Sequence, residues 1–370
     1  MNRKERRAAA KQERNAGGGA ASPREIEKAI GLAQTGDLAG AEALLDPVYK
    51  TDPDQPEANH QLGMIYVRTG RTEAGLQLLR KAVALRPEES LYWNNLAAAC
   101  LAIERSQEAV EAAQKSLALD PKNFMAWQNL GLAQRDLGDR AAAVEAFDRA
   151  AALGSLDAAG LASWGECLGA LGRFPQAEVV VRRGLDIATD DPAILTLLGW
   201  LLSEQGKSEE ARDTFRRSLD HKPDQFLAAF NYAILSLRVD DAEAGLRWLR
   251  RATSIDPKSA AAWRVLALEL ARRGHKDEAL PVAERALRLK PDDGEIQNLV
   301  RHLKNGGDTI APFEIDLTGV LSAAIGLDEP KMVQPKPATP SATPPKAADP
   351  QAPQGSGVFD FSVVNIAKGD

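Results

Sequence analysis

The feature that most constrains this chain is a period of 34 residues. Units starting at 22, 56, 90, 124, 158, 192, 226 and 260 tile residues 22–293 without an insertion. Two columns are then filled by small residues alone. The eighth position reads Ala29, Gly63, Ala97, Gly131, Gly165, Gly199, Ala233 and Ala267; the twentieth reads Ala41, Gly75, Ala109, Ala143, Ala177, Ala211, Gly245 and Ala279. Self-similarity at a fixed period of this length marks an array of one supersecondary unit. Such an array grows along one dimension, so chain length says nothing about a number of globular domains.

Each column has a physical reading. Small residues in two columns let two helix axes approach closely. Glycine at the fifteenth position (Gly36, Gly70, Gly138, Gly172, Gly206, Gly274) predicts a left-handed residue ending the first helix of each unit. Glu104 and Asp240 replace it in the third and seventh units, where a strained turn is expected. Proline at the thirty-second position (Pro53, Pro87, Pro121, Pro223, Pro257, Pro291) stops the second helix. Ser155 and Thr189 stand there on either side of the fifth unit, and Pro192 restarts the chain. Large apolar residues, among them Leu62, Leu96, Leu130, Leu45, Leu79, Phe147 and Phe215, recur at helical spacing and predict the core.

Trp93, Trp127 and Trp263 at the fourth position, the Leu-Gly pairs 62–63, 130–131 and 198–199, Tyr66 at the eleventh position and the small-large-small-Pro series resemble the tetratricopeptide repeat. The resemblance spans 22–293. It implies an all-α, right-handed α-solenoid of eight helix-turn-helix repeats, with the first helices lining a concave groove. After the eighth repeat, Ile296, Leu299, Val300 and Leu303 share one helical face over 294–305, a capping helix for the last apolar surface.

The flanks differ in character. Residues 1–21 carry Arg3, Lys4, Arg6, Arg7, Lys11 and Arg14 ahead of Gly17–Gly19, and read as a basic flexible arm. Residues 306–370 read as a mostly disordered tail. It holds a short amphipathic segment at 316–327, a proline-rich linker at 335–353 and a strand-like apolar tip at 358–366.

Composition narrows the function. The formal net charge is −6, which argues against a protein that coats nucleic acid. Cys100 and Cys167 form neither a CxxC pair nor a disulfide framework, and read as small core residues. The four histidines (His60, His221, His275, His302) lack ligand spacing, so neither a metal nor a cofactor is expected. No GxxxxGK[ST], GxGxxG or GxSxG motif occurs, and the expectation is a non-enzyme. With no apolar run of membrane-spanning length and no apolar core in the basic N-terminus, the expected compartment is the cytoplasm, and alanine and arginine richness suggests a bacterial source.

The resemblance assigns positions 2, 5, 6, 9, 12 and 13 of each first helix to the groove. Position 6 holds Gln61, Asn95, Asn129 and Asn231, interrupted by Ser163, Leu197 and Val265. Stacked carboxamides can grip an extended peptide backbone, or can instead bond the neighbouring helix. Farther along, Trp200, Phe230, Ile234, Leu237, Arg238, Arg264, Leu268 and Arg272 set apolar anchors beside arginines, a hot-spot composition suited to an apolar and acidic peptide or helix. Position 5 lacks a lysine in every unit, which disfavours the clamp by which some members of the family hold a chaperone's terminal carboxylate. The expected function is a protein-interaction scaffold or adaptor whose groove takes a partner's segment or, in cis, the tip 358–366. Other readings are an RNA- or ribosome-associated factor acting through the arm, and an accessory subunit of an enzyme that supplies catalysis in trans.

Overall fold

The computed structural model describes residues 23–239 and 241–305. The arm, Asp240 and the tail with its segments 316–327, 335–353 and 358–366 lie outside the described residues. All regular structure among the described residues is helical. The described residues divide into two compact units, 23–167 and 168–305.

In the first unit the helices run α1 (Pro23–Gln34), α2 (Leu38–Thr51), α3 (Pro56–Arg68), α4 (Thr72–Leu85), α5 (Ser90–Leu101), α6 (Ser106–Leu119), α7 (Phe124–Asp136), α8 (Arg140–Leu153) and most of α9 (Ala158–Ala170). The second unit continues with α10 (Phe174–Ile187), α11 (Pro192–Glu204), α12 (Ser208–His221), α13 (Phe226–Arg238), α14 (Ala242–Ile255), α15 (Ala260–Arg272), α16 (Lys276–Leu289) and α17 (Gly294–Lys304). Odd-numbered helices through α15 are the first of each pair and even-numbered ones the second. Within each unit consecutive helices pack on one another, giving a helical solenoid built of helix pairs.

Local chemistry sets the helix boundaries. Asn123 and Asp139 cap α7 and α8 by accepting from Ala126 N and Ala142 N, both at 3.1 Å. Between the two helices Gly138 sits at φ 83°, its N–H reaching Arg135 O at 2.9 Å while Asp139 N–H reaches Gln134 O at 2.9 Å. This crossed pair is a Schellman turn, which demands a left-handed residue. A Cβ on Gly138 would meet nothing within 4 Å, so the cost of Gly138→Ala is conformational only. We expect about 1 kcal/mol, read as a shift of the urea midpoint at unchanged slope. Glu104, in the same turn of the third pair, is held at φ 61°, as the glycine column anticipates. Asp190 at φ 63° was not anticipated; it follows Thr189, where the proline column fails.

The small columns are matched to what faces them. Added Cβ atoms at Gly131 and Gly199 would lie 3.0 and 2.8 Å from the rings of Phe147 and Phe215, both fully buried. Ala97 and Ala233 occupy the same column, and the residues of the facing column in their pairs are Ala113 and Leu249. Both pairs that bury a phenylalanine there carry glycine, while Gly63 and Gly165 stand in pairs whose facing residues are Leu79 and Val181. At Gly75 the obstacle is backbone, with Gly63 O only 2.6 Å away.

Position 4 does more than pack. Trp93 and Trp127 donate Nε1–H to Pro87 O (2.8 Å) and Pro121 O (3.0 Å), and Asn59 donates Nδ2–H to Pro53 O (2.7 Å). In the second unit Trp263 reaches Pro257 O at 3.1 Å. Each bond ties a first helix to the carbonyl of the proline that closed the preceding pair. Where Ser155 and Thr189 replace that proline, position 4 is Leu161 or Leu195, so donor and proline are lost together. Trp127→Phe keeps most of the bulk and removes the bond; we expect about 1 kcal/mol of lost stability in urea titration.

Outer helices are joined by a recurrent ion pair. Arg80 forks onto Glu108 and Arg250 onto Glu278, with both contacts of each fork at 2.8 Å, and Arg182 meets Glu210 likewise. Hydrogen bonds from Arg80 and Arg250 hold the Glu108 and Glu278 carboxyls below the usual carboxylate range. These pairs are solvent-accessible and set register more than they add stability.

The last helix repeats the scheme once more. Ile296, Leu299 and Val300 of α17 are buried, and Gln297 donates to Pro291 O at 2.7 Å, standing in for the position-4 tryptophan. Arg301, in the register of the small column, is exposed.

Candidate functional site

In the first unit the carboxamide column is built into a directional hydrogen-bond chain. Asn129 donates Nδ2–H to Asn94 Oδ1 (2.9 Å), Asn94 to Asn95 Oδ1 (3.2 Å), and Asn95 to His60 Nε2 (2.8 Å). The chain crosses from α7 through α5 to α3. Because the Asn94 and Asn95 oxygens accept, those two amides have one orientation, and with Asn95 donating to Nε2 the His60 ring ends the chain as an acceptor. Its ring stacks on Tyr92 at 4.3 Å, and burial holds its pKa down at about 3. Gln61 Nε2 lies 3.4 Å from His60 Nδ1. Gln61, Asn95 and Asn129 are all buried. Asn95 and Asn129 bond the neighbouring inner helix, whereas Gln61 reaches His60 of its own helix. His60 and Asn94, at position 5, complete the chain and were not singled out from the sequence, although they stand beside the column that was.

In the second unit the apolar anchors turn inward. Trp200, Phe230, Ile234, Leu237 and Leu268 are all buried, against the expectation of an exposed patch. The cause at Trp200 is legible: Gly169 leaves room for the indole, where a Cβ would come within 2.5 Å, and Phe174 meets its edge at 6.0 Å. Phe230 stacks on Phe226 at 5.7 Å. The arginines divide. Arg264 pairs with Asp293 (3.3 Å) and Glu295 and so fastens α15 to the start of α17, beside a cavity of about 560 Å³ that Lys290 and Asp292 also line. Arg272 pairs at 2.9 Å with Glu269, a carboxylate only 3% exposed that also faces Arg273 at 3.4 Å. Arg238 is exposed, with no ion pair among the described residues.

Asn231 is the exception in its column. It is fully buried, and neither Nδ2 nor Oδ1 has a partner. Trp200 Nε1, Ser203 Oγ and Ser236 Oγ, on the same two inner helices α11 and α13, are also buried and unpaired.

Reactive chemistry is not in evidence among these groups. Burial pushes the Cys100 and Cys167 thiols up to about 12, so both stay protonated and unreactive near neutrality. No group of three or more His, Cys, Asp or Glu is placed to hold a metal among the described residues. No described helix is long and apolar enough to cross a membrane.

Tetratricopeptide-repeat profiles match residues 32–100, 91–123, 129–192, 196–258 and 260–300. The chain belongs to the tetratricopeptide repeat family. Similar solved structures include the Cut9–Hcn1 hetero-tetramer of the APC/C, at 17% identity and TM-score 0.51 over 72% of this chain and 52% of that one. The C-terminal part of a repeat-containing protein from Cytophaga hutchinsonii matches at 13% identity and TM-score 0.50, over 65% of this chain and 99% of its own. YrrB, described as a tetratricopeptide protein with an unusual peptide-binding site, matches at 20% identity and TM-score 0.46, over 50% of this chain and 96% of its own. No curated protein matches the sequence. The tetratricopeptide fold is typically a non-catalytic interaction module, and at this level the chain is a protein-interaction scaffold.

Proposed function

We propose that the chain is a non-enzymatic adaptor, set in a bacterial cytoplasm, that takes a peptide or helix of a partner protein along its inner helices. The division is eight repeats over 22–293 with the capping helix 294–305. The observation that carries this reading is Arg238, an exposed cation with no ion pair among the described residues, at the end of an inner helix whose remaining inner positions are apolar or amide. A guanidinium beside desolvated aromatic side chains suits a segment that carries a carboxylate among apolar residues. The charges of Arg272 and Arg264 are already engaged by Glu269 and by Asp293 and Glu295, while Asn95 and Asn129 tie the inner helices of the first unit together and Gln61 lies beside His60.

A photo-crosslinking residue placed at Arg238, compared with one at Val179 on the outer helix α10, tests the reading in cells. Val179 is 63% exposed, so it reports encounters with the convex side. We expect discrete protein adducts from position 238 that are absent from position 179. Equal adducts from both positions, or none from 238, overturn the groove reading.

A further inference from the structure

The cavity of about 560 Å³ in the second unit opens to solvent between the first turn of α15, the last turn of α16 and the start of α17. Other pairs close this place. In the third pair Ser90 Oγ and Ser116 Oγ hydrogen-bond across it at 2.9 Å. In the fourth, the ring of Phe124 lies so close to Gly154 that an added Cβ would come within 2.8 Å of it. The residues that correspond to Ser90 and Ser116 in the eighth pair are Ala260 and Ala286, and the residue that corresponds to Gly154 is Lys290. Two methyl groups cannot bridge what a serine pair or a phenyl ring closes. Ala261 follows at position 2, where Leu91, Met125 and Leu227 stand in other pairs. The opening follows from these three alanines, and its volume is that of a site for a small ligand or a few atoms of a peptide side chain.

The charge around the mouth decides what fits. Arg264 already faces two carboxylates, Asp293 at 3.3 Å and Glu295, one more than its charge requires. The N-termini of α15 and α17 are capped: Ser259 Oγ accepts from Ala262 N at 3.3 Å, and Asp293 accepts from Ile296 N at 3.1 Å. Lys290 is the C-cap of α16, where a cation answers the partial negative charge of the helix end. Asp292 remains. It lines the cavity, is exposed and has no ion pair among the described residues. Three carboxylates against two cations give the site a negative surplus above a floor of methyl groups. An anion would meet that surplus. A side chain with an aliphatic stem and a cationic head suits both features, since such chains lay their methylenes on apolar surface and keep the charge at the rim.

We propose that this cavity is a subsite for one lysine or arginine side chain of the partner's segment, its stem against Ala260, Ala261 and Ala286 and its head at Asp292. The proposal rests on the reading that a segment lies along the inner helices, and it adds a cation to the carboxylate expected at Arg238. Arg238 ends α13 whereas the cavity lies at the start of α15, so the two subsites are about one helix length apart, on the order of 20 Å. An extended segment covers that distance in roughly six residues. The partner sequence called for carries a carboxylate and a basic residue with about that separation.

Blocked tripeptides titrated into the isotope-labelled full-length chain test this, with backbone amide shifts as the readout. Acetyl-Ala-Lys-Ala-amide should move the Ala261 and Gly294 amides saturably. The norleucine peptide, which keeps the stem and drops the charge, should bind about five-fold more weakly, the strength of one accessible ion pair. The glutamate peptide should bind more weakly still. Asp292→Asn, which keeps the shape of an exposed side chain, should remove the preference for lysine over norleucine, and Ala261→Leu should close the cavity to all three. Equal binding of the lysine and norleucine peptides, tighter binding of the glutamate peptide, or no saturable shift at Ala261 and Gly294 overturns the proposal. If it is overturned while crosslinks still form at position 238, the groove reading stands. Lysine binding with no crosslinks at position 238 upholds the cation site and overturns the groove reading alone.

Discussion

Phe147→Ala is expected to lower stability by about 3–5 kcal/mol, read as a fall of the urea midpoint in the full-length chain. The ring is fully buried within the α7–α8 pair and closes directly over Gly131. Removing it leaves a cavity that the close approach of the two helices cannot collapse to fill. The same geometry makes a second, signed prediction. Gly131→Ala drives a methyl to within 3.0–3.1 Å of three ring atoms, an overpacking cost set against the better helix propensity of alanine. In a Phe147→Leu background the methyl has room, so the double variant should be more stable than the sum of the single effects. Additive effects would show that the glycine was not selected by the ring. Gly75→Ala should cost more than Gly131→Ala, because its new methyl meets backbone, the Gly63 carbonyl and Val67 N, as well as Val67 Cγ2. In an array where each pair contacts mainly its neighbours, the damage stays local, and exchange should rise first in α7 and α8.

This contrast shows what could be read from the sequence and what could not. The period, the small columns, the turn glycines and the strain at Glu104 are properties of single positions repeated in register, so one chain displays them to a reader. The position-4 bond was half visible: three tryptophans announced a motif, but Asn59 and Gln297 reach the same proline carbonyls and share no resemblance to indole beyond an N–H. The groove was the least legible part. A position number says which side of an inner helix a residue occupies, whereas exposure depends on what the next helix places opposite. Gly169 admits Trp200 to the interior, and Glu269 engages Arg272. Position 6 shows the same dependence most plainly, since Asn129 and Asn231 are alike in sequence and opposite in circumstance. The preceding position-5 residue, Asn94 in one case and Thr196 in the other, is one difference between them.

The chain Asn129–Asn94–Asn95–His60 carries the second large effect, one that depends on pH. His60 is held at about 3 by burial alone, with no charged partner contributing, against 6.5 for the exposed side chain. The unfolded chain therefore binds a proton at His60 that the folded chain refuses between these values. Stability is complete above about pH 6.5 and declines as pH falls toward 3, by a total on the order of several kcal/mol if no other change intervenes. Protonation also has a structural consequence. A charged ring donates from Nε2, so Asn95 must turn its oxygen toward His60, and Asn94 and Asn129 must follow. Each of the three amides would have to reverse at once across α3, α5 and α7, which makes partial protonation costly and the loss cooperative. Acidification also changes the charge of other groups, so the native curve by itself is not diagnostic. The difference between native protein and His60→Gln isolates the term, because glutamine can accept from Asn95 and does not ionise. We expect the native chain to lose ground to the variant steadily from pH 6.5 to pH 3, measured as urea midpoints. Parallel curves across that range would mean that His60 titrates as an ordinary exposed histidine and that the directed chain of amides does not persist in solution.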